Sequence, residues 1–128
     1  MIAADTSTWI AFLAGQAGWD VELLDKALSQ QHVLMIPIVL AELFSDPKIS
    51  IDVEERLSGI PLVHIEAGYW IRAGRCRAAL LAKGRRARLA DALIAQICMD
   101  AGILLVTRDH DFRTFAEGTK LTLATETA

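Results

Sequence analysis

The 128 residues carry 13 Lys and Arg against 16 Asp and Glu, a formal net charge of −3, and 53 % of them are apolar. That length suits one domain, 1–128, able to bury roughly two thirds of its unfolded surface. No apolar run approaches the ~20 residues of a membrane span, and no basic leader with a cleavage site is recognisable, so a soluble, cytoplasmic protein is expected. Cys76 and Cys98 have neither metal-ligand spacing nor a histidine pattern near them, which reads as two reduced core thiols.

Apolar runs alternate with helical patterns in the βαβα manner of a parallel sheet. A first short strand covers residues 1–5. Ser7 or Thr6 can cap the helix over Trp9–Leu13, which stops near Gly15 or Gly18. A second helix, about Asp20 to Gln30, turns Val21, Leu24 and Leu28 inward and Glu22, Asp25 and Lys26 outward. Val33–Ile36 reads as the second strand, and Pro37 then suits the first turn of a helix that carries Glu42. Asp46-Pro47 breaks that helix. A short helix near 51–57 leads to a third strand over Pro61–Ile65, then a long helix from about Glu66 to Lys83 and a basic turn, Gly84-Arg85-Arg86. Leu89–Ala101 is apolar nearly all round, as in a buried helix, with Gly102 as its stop. The fourth strand, 103–107, a short helix opened by Asp109–Phe112, and a last strand at 121–123 complete the chain. Residues 125–128 should fray. The predicted fold is α/β: a central, mostly parallel twisted sheet of four to five strands with helices on both faces.

Five carboxylates stand where such a fold puts its chemistry. Asp5 ends the first strand, and Asp109 and Asp111 follow the fourth; ligands of open parallel sheets sit beyond the carboxyl ends of strands. Glu42 and Asp91 lie in apolar helical stretches, where a charge is costly without compensation. Each has a plainer reading: Asp91 as a first-turn acid favoured by the helix dipole, Glu42 as a side chain turned outward, Asp111 as a turn cap. Together, converging carboxylates raise one another's pKa unless a cation binds, and oxygen-only ligation suits Mg²⁺ or Mn²⁺. Such a site fits phosphodiester hydrolysis. No nucleophile–base pair and no phosphate-cradling glycine loop offers a competing chemistry.

Charge is unevenly spread. Residues 67–90 hold Arg72, Arg75, Arg77, Lys83, Arg85, Arg86 and Arg88 and no acid, while the remaining chain holds six basic residues against all 16 acids. A basic surface beside an acidic site is what a metal-dependent enzyme acting on a polyanion needs; a solvated helix face is the alternative. Arg85, Arg86 and Arg88 are the candidate contacts for such a polyanion.

The segments Asp5–Ile10, Pro37–Leu43, Leu89–Ala95 and Thr107–Phe112, in this order, resemble the PIN-domain ribonucleases, above all the VapC-type toxins of toxin–antitoxin pairs. The resemblance implies an endoribonuclease that uses Mg²⁺ or Mn²⁺ to leave 5′-phosphate and 3′-hydroxyl ends. It implies an acidic quartet of Asp5, Glu42, Asp91 and Asp109 with Asp111 as auxiliary, and supporting hydroxyls at Thr107 and at Thr6 or Ser7. In this reading Asp5, Asp91 and Asp109 ligate the ion, and Glu42 ligates it or orients water. It further implies a homodimer silenced by a small VapB-like antitoxin, for which Trp9, Phe12, Leu13 and Trp19 are a candidate groove, core packing being their other reading. Two alternatives lack catalysis: a phospho-acceptor signalling domain, for which Lys120 is misplaced before its strand, and a PIN-like RNA-binding scaffold.

Overall fold

The computed structural model describes residues 1–126; the fraying expected of 127 and 128 lies outside the described residues. Among those described, seven helices surround a parallel sheet. The order is β1 (Ile2–Ala4), α1 (Thr6–Leu13), α2 (Trp19–Ser29), α3 (Pro37–Phe44), α4 (Ile51–Ser58), α5 (Tyr69–Ala82), α6 (Leu89–Ala101), β2 (Leu104–Val106) and α7 (Phe112–Gly118).

Only β1 and β2 form a ladder, in parallel register Ile2↔Leu104 to Ala4↔Val106. The other expected strands appear as single parallel bridges, Ile2↔Val33, Met35↔Leu62 and Leu105↔Leu123. Five segments therefore lie side by side, with β1 central, but three are too short for ladders. The reason is local for the 33–36 segment: Ile36 is already the N-cap of α3, and Pro37 occupies its first turn. Segment 61–63 begins with a proline that has no N–H to give; its pairing runs from Met35 N–H to the Pro61 carbonyl and from Val63 N–H to the Met35 carbonyl.

Ala3, Ala4, Leu105 and Val106 are fully buried, so the ladder is covered on both faces. α1 packs on β1 and α6 on β2, with α6 also meeting α3, α5 and α7. The buried run Ala92, Ile94, Ala95, Gln96, Ile97 and Cys98 makes α6 the central helix, as its all-round apolar sequence predicts. α5 is fastened to it by three polar contacts. The Tyr69 hydroxyl donates to the Leu93 carbonyl at 2.6 Å, Arg72 forks onto Asp100, and Arg77 donates to the Ala87 carbonyl at 2.8 Å. Two of the seven cations of the 67–90 stretch are thus structural. α5 starts later than the pattern predicts because Gly68, at φ 81°, turns the chain just before it. Cys76 and Cys98 are free thiols, half-buried and buried.

α6 ends at Gly102 in the left-handed region, φ 65°, with its N–H on the Cys98 and Met99 carbonyls. Space for a Cβ is open there, so conformation alone sets the cost of a side chain. Gly102→Ala should destabilise the fold by about 1 kcal/mol, read as a lower urea midpoint at unchanged m-value. An unshifted midpoint would contradict the cap.

Candidate active site

The first turn of α1 is built on Asp5. Its backbone is extended, and its carboxylate accepts from Thr8 N–H at 3.1 Å, so Asp5 is the N-cap that the sequence reading assigned to Ser7 or Thr6. The same carboxylate accepts from Ser7 Oγ at 2.9 Å and from Thr107 Oγ1 at 2.7 Å. Thr107 in turn accepts the Asp109 N–H at 2.9 Å, and Asp109 accepts the Asp111 N–H at 2.9 Å. One hydroxyl just beyond β2 therefore ties the acid of the first strand to the acids of the second. Asp5 is only 3 % exposed. Its pKa is raised by burial first, against the hydrogen bonds from Thr107, Thr8 and Ser7, with Asp109 adding repulsion.

Asp91 stands in the first turn of α6, half-buried, and Arg88, not Asp91, is the N-cap residue there. Its carboxyl is pushed up to about 6, by burial first and then by the charges of Asp109, Asp111 and Asp5, while Arg88 opposes the shift. This shift places the four aspartates within one electrostatic field. Asp111 begins α7 without capping it, and its carboxylate lies 3.7 Å from Arg88. Arg86, Arg88, Asp91 and Asp111 line one small cavity, with Thr114 and Phe115 of α7 completing it.

Glu42 is exposed on α3 and accepts from Thr6 Oγ1 at 2.8 Å. It is joined to the site through Thr6, next to Asp5, rather than through the aspartates. Arg85 is paired with Glu117 at 2.7 Å on the surface. Trp9 is buried and Trp19 lines separate cavities beside the C-terminal segment, so the four apolar residues expected to share a groove do not. The apolar cavity on this face lies instead between α1, α3 and α4, about 520 Å³, with Ile10, Leu13, Leu43, Ile49 and Val53 in its walls.

By chemistry the donors suit a hard divalent cation: oxygen only, negatively charged, and mutually repelling. Among the described residues, no three Asp, Glu, His or Cys side chains stand close enough to hold an ion as they are. Asp91 and Asp109 are half-buried and Asp111 is exposed, around the buried Asp5.

One residue at this site has no counterpart in the sequence reading. Asp20, 4 % exposed in the first turn of α2, takes a two-pronged contact from Arg108, at 2.8 and 2.9 Å, and the Thr8 hydroxyl at 2.9 Å. Arg108 also reaches Gln16 and the Ala17 carbonyl. The signal available in the sequence was Arg108 itself, a guanidinium set between two site residues.

A parallel α/β domain with an aspartate cluster beyond the carboxyl ends of its two central strands is the class that fold and site define. The model of the PIN domain family matches residues 2–118, and the chain belongs to that family. Comparison with curated proteins gives no match. Among solved structures the chain is similar to VapBC-5, of the VapBC family of toxin–antitoxin systems, from Mycobacterium tuberculosis, at 22 % identity over 98 % of each chain and a TM-score of 0.69. It is similar to VapBC2 from Rickettsia felis, solved with a DNA fragment from the promoter, at 22 % identity over 99 % of this chain and 100 % of that one, TM-score 0.75. FitAcB from Neisseria gonorrhoeae matches at 19 % identity over 98 % and 97 %, TM-score 0.74. At these identities the likeness is one of fold.

Burial disfavours the Asp20 charge, but Arg108 and Thr8 outweigh it and hold the carboxyl below its ordinary range. A depressed folded pKa adds stability above the unfolded value of about 3.9, lost as pH falls through the folded one. Asp20→Asn should therefore cost about 3 kcal/mol at pH 7, the low end for a broken buried pair because Arg108 is partly solvated. Urea unfolding at pH 7 and pH 3 should show the gap to the native protein closing at acid pH. An equal gap at both would assign the loss to packing.

Proposed function

We propose that the chain is a divalent-metal-dependent endoribonuclease that acts as the toxin of a toxin–antitoxin pair. One observation carries this reading: in a PIN-family chain, Thr107 ties Asp5 to Asp109 beyond the carboxyl ends of β1 and β2, with Asp91 in the first turn of α6 close enough to feel their charge. Asp5, Asp91 and Asp109 would hold Mg²⁺ or Mn²⁺, with Asp111 at the margin. The chemistry such an ion supplies is Lewis acidity toward a phosphoryl oxygen and a source of hydroxide at neutral pH.

The chain's own groups do the rest. Ser7, Thr8 and Thr107 fix Asp5, so this buried carboxylate cannot rotate away. Glu42, held by Thr6, is the carboxylate free to orient the attacking water and take its proton. Arg86 and Arg88, unlike Arg85, have guanidinium groups beside the acids with which to bind the phosphate. Water adds to phosphorus as the bond to the 3′ oxygen breaks, and that oxygen leaves as a hydroxyl while the phosphate stays on the 5′ side. Lys120 belongs to a different cavity from the acids, which removes the phospho-acceptor alternative's one basic candidate.

The structural neighbours named as VapBC systems support an antitoxin partner for this chain as well. Its apolar contact would be the cavity between α1, α3 and α4. Trp70, Ile71 and Leu89, 61 %, 64 % and 54 % exposed, give a homodimer its apolar surface. RNA as substrate fits a cytoplasmic site of action. Among the described residues, no helix is long and apolar enough to cross a membrane.

The test is Asp5→Asn and Asp91→Asn, each purified and checked for native circular dichroism. Changes to groups that hydrogen-bond metal ligands cost 10–100-fold, so loss of a ligand itself should lower Mg²⁺-dependent RNA cleavage by at least about 100-fold and relieve growth arrest on induction. A folded variant of either kind that still cuts would end the assignment.

A further inference from the structure

A second cavity, about 420 Å³, opens on the α5–α6–α7 side of the molecule. Its floor is apolar, with Cys76, Ala79, Leu80 and Met99, and its rim carries Arg72, Arg75, Lys83 and Lys120 with no carboxylate among the lining residues. Arg72 is neutralised by Asp100 at 2.6 Å. Arg75, Lys83 and Lys120 are exposed and make no ion pair among the described residues. Three uncompensated cations around one concave, acid-free surface form a local positive field in a chain whose net charge is −3.

The placement of this cleft says what it serves. α7 runs between it and the acidic site: Thr114 and Phe115 line the cavity of Arg86, Arg88, Asp91 and Asp111, and Gly118 and Thr119 line the basic cleft. Phe115 and Gly118 are one helical turn apart, ~5 Å by helix rise, a distance that a few nucleotides cover at ~3.4 Å each. Between the two cavities Arg85 rests on Glu117, an exposed pair that contributes little and can be given up to a phosphate. Arg88, Arg86, Arg85, Lys83, Arg75 and Lys120 thus mark a basic track that starts at the aspartates and ends in the cleft.

We propose that the α5–α6–α7 cleft is a second RNA subsite, in which Arg75, Lys83 and Lys120 hold backbone phosphates of the single strand flanking the bond to be cut. The inference rests on the reading of the chain as a ribonuclease. Contacts to phosphate are sequence-independent and salt-sensitive, so the subsite adds grip and direction to the strand, and the apolar floor receives an unstacked base.

The experiment measures binding of a labelled 12-nucleotide single-stranded RNA by fluorescence anisotropy, in Mg²⁺, on the Asp5→Asn chain. The cleft variant adds Arg75→Gln, Lys83→Gln and Lys120→Gln; a control adds Lys26→Gln, Lys48→Gln and Arg56→Gln, removing the same charge elsewhere. The cleft variant should bind at least about 10-fold more weakly at moderate salt, with the slope of log K against log salt reduced by about 2, as three lost phosphate contacts on a single strand require. The control should change both far less. Equal losses in the two variants, or none in the cleft variant while its parent binds RNA, would overturn the subsite and leave the ribonuclease reading standing. A parent that binds no RNA would overturn both. A cleft variant that loses an oligoglutamate peptide but keeps RNA would assign the cleft to an acidic protein segment instead. Should the triple variant melt early, Lys120→Glu alone, at an exposed loop position, carries the same comparison.

Discussion

A buried aspartate is the constraint on which this structure turns. Asp5 is almost inaccessible, and burial works against its ionised form. It is tolerable because three donors converge on it: Ser7 and Thr8 from the helix it caps, and Thr107 from beyond the neighbouring strand. Followed outward, these contacts close into a ring. Thr8 gives its N–H to Asp5 and its hydroxyl to Asp20; Asp20 holds Arg108; Arg108 is bonded through the backbone to Thr107, which returns to Asp5. Four parts of the chain, β1, α1, α2 and the segment after β2, are fixed relative to one another by groups that each need the others in place. Loosening one member exposes the next as an unpaired buried polar group, so the ring is cooperative in a way that single contacts on a surface are not.

That ring also explains which parts of the site were legible in the sequence. Asp5 and Asp109 could be read because they sit at strand ends, where the geometry of a parallel sheet dictates what lies nearby whatever the rest of the chain does. Asp91 could be read because a charge among Leu89, Ala90, Ala92 and Leu93 demands a reason. Asp20 passed as an ordinary helix-starting acid. Its burial depends on Arg108, and nothing local in a single sequence pairs positions 20 and 108. The cap of α1 was missed for a related reason. Asp5 had already been given to the site, and the same carboxylate does both jobs, accepting Thr8 N–H on one oxygen and Thr107 on the other.

The expected four to five strands are present as parallel segments, but only two reach ladder length. Residues 33–36 and 61–65 have strand composition, yet composition does not record where the next helix must begin. Pro37 starts α3 one residue after Ile36, and that leaves room for isolated bridges only. β1 and β2 reach ladder length with Ala3, Ala4, Leu105 and Val106 wholly buried, α1 packed on β1 and α6 on β2. The acids then need only to follow these two strands to be brought within a shared field.

The distribution of cations follows from the same economy of burial. Of the seven in residues 67–90, Arg72 joins α5 to α6 through Asp100 and Arg77 joins α5 to the Ala87 carbonyl just before α6. Arg88 opposes the rise of the Asp91 pKa and stands near Asp111, so it moderates the repulsion within the acid cluster. Of the rest, Arg85 pairs with Glu117, and the exposed Arg86, Arg75 and Lys83 run from beside the acids to the far cleft. A solvated face would scatter such charges or match them with acids of its own. Here the aspartate cluster lies at one end of α7 while Arg75 and Lys83, which make no ion pair among the described residues, lie toward the other, and on the proposed function that polarity gives a strand of RNA a direction in which to lie.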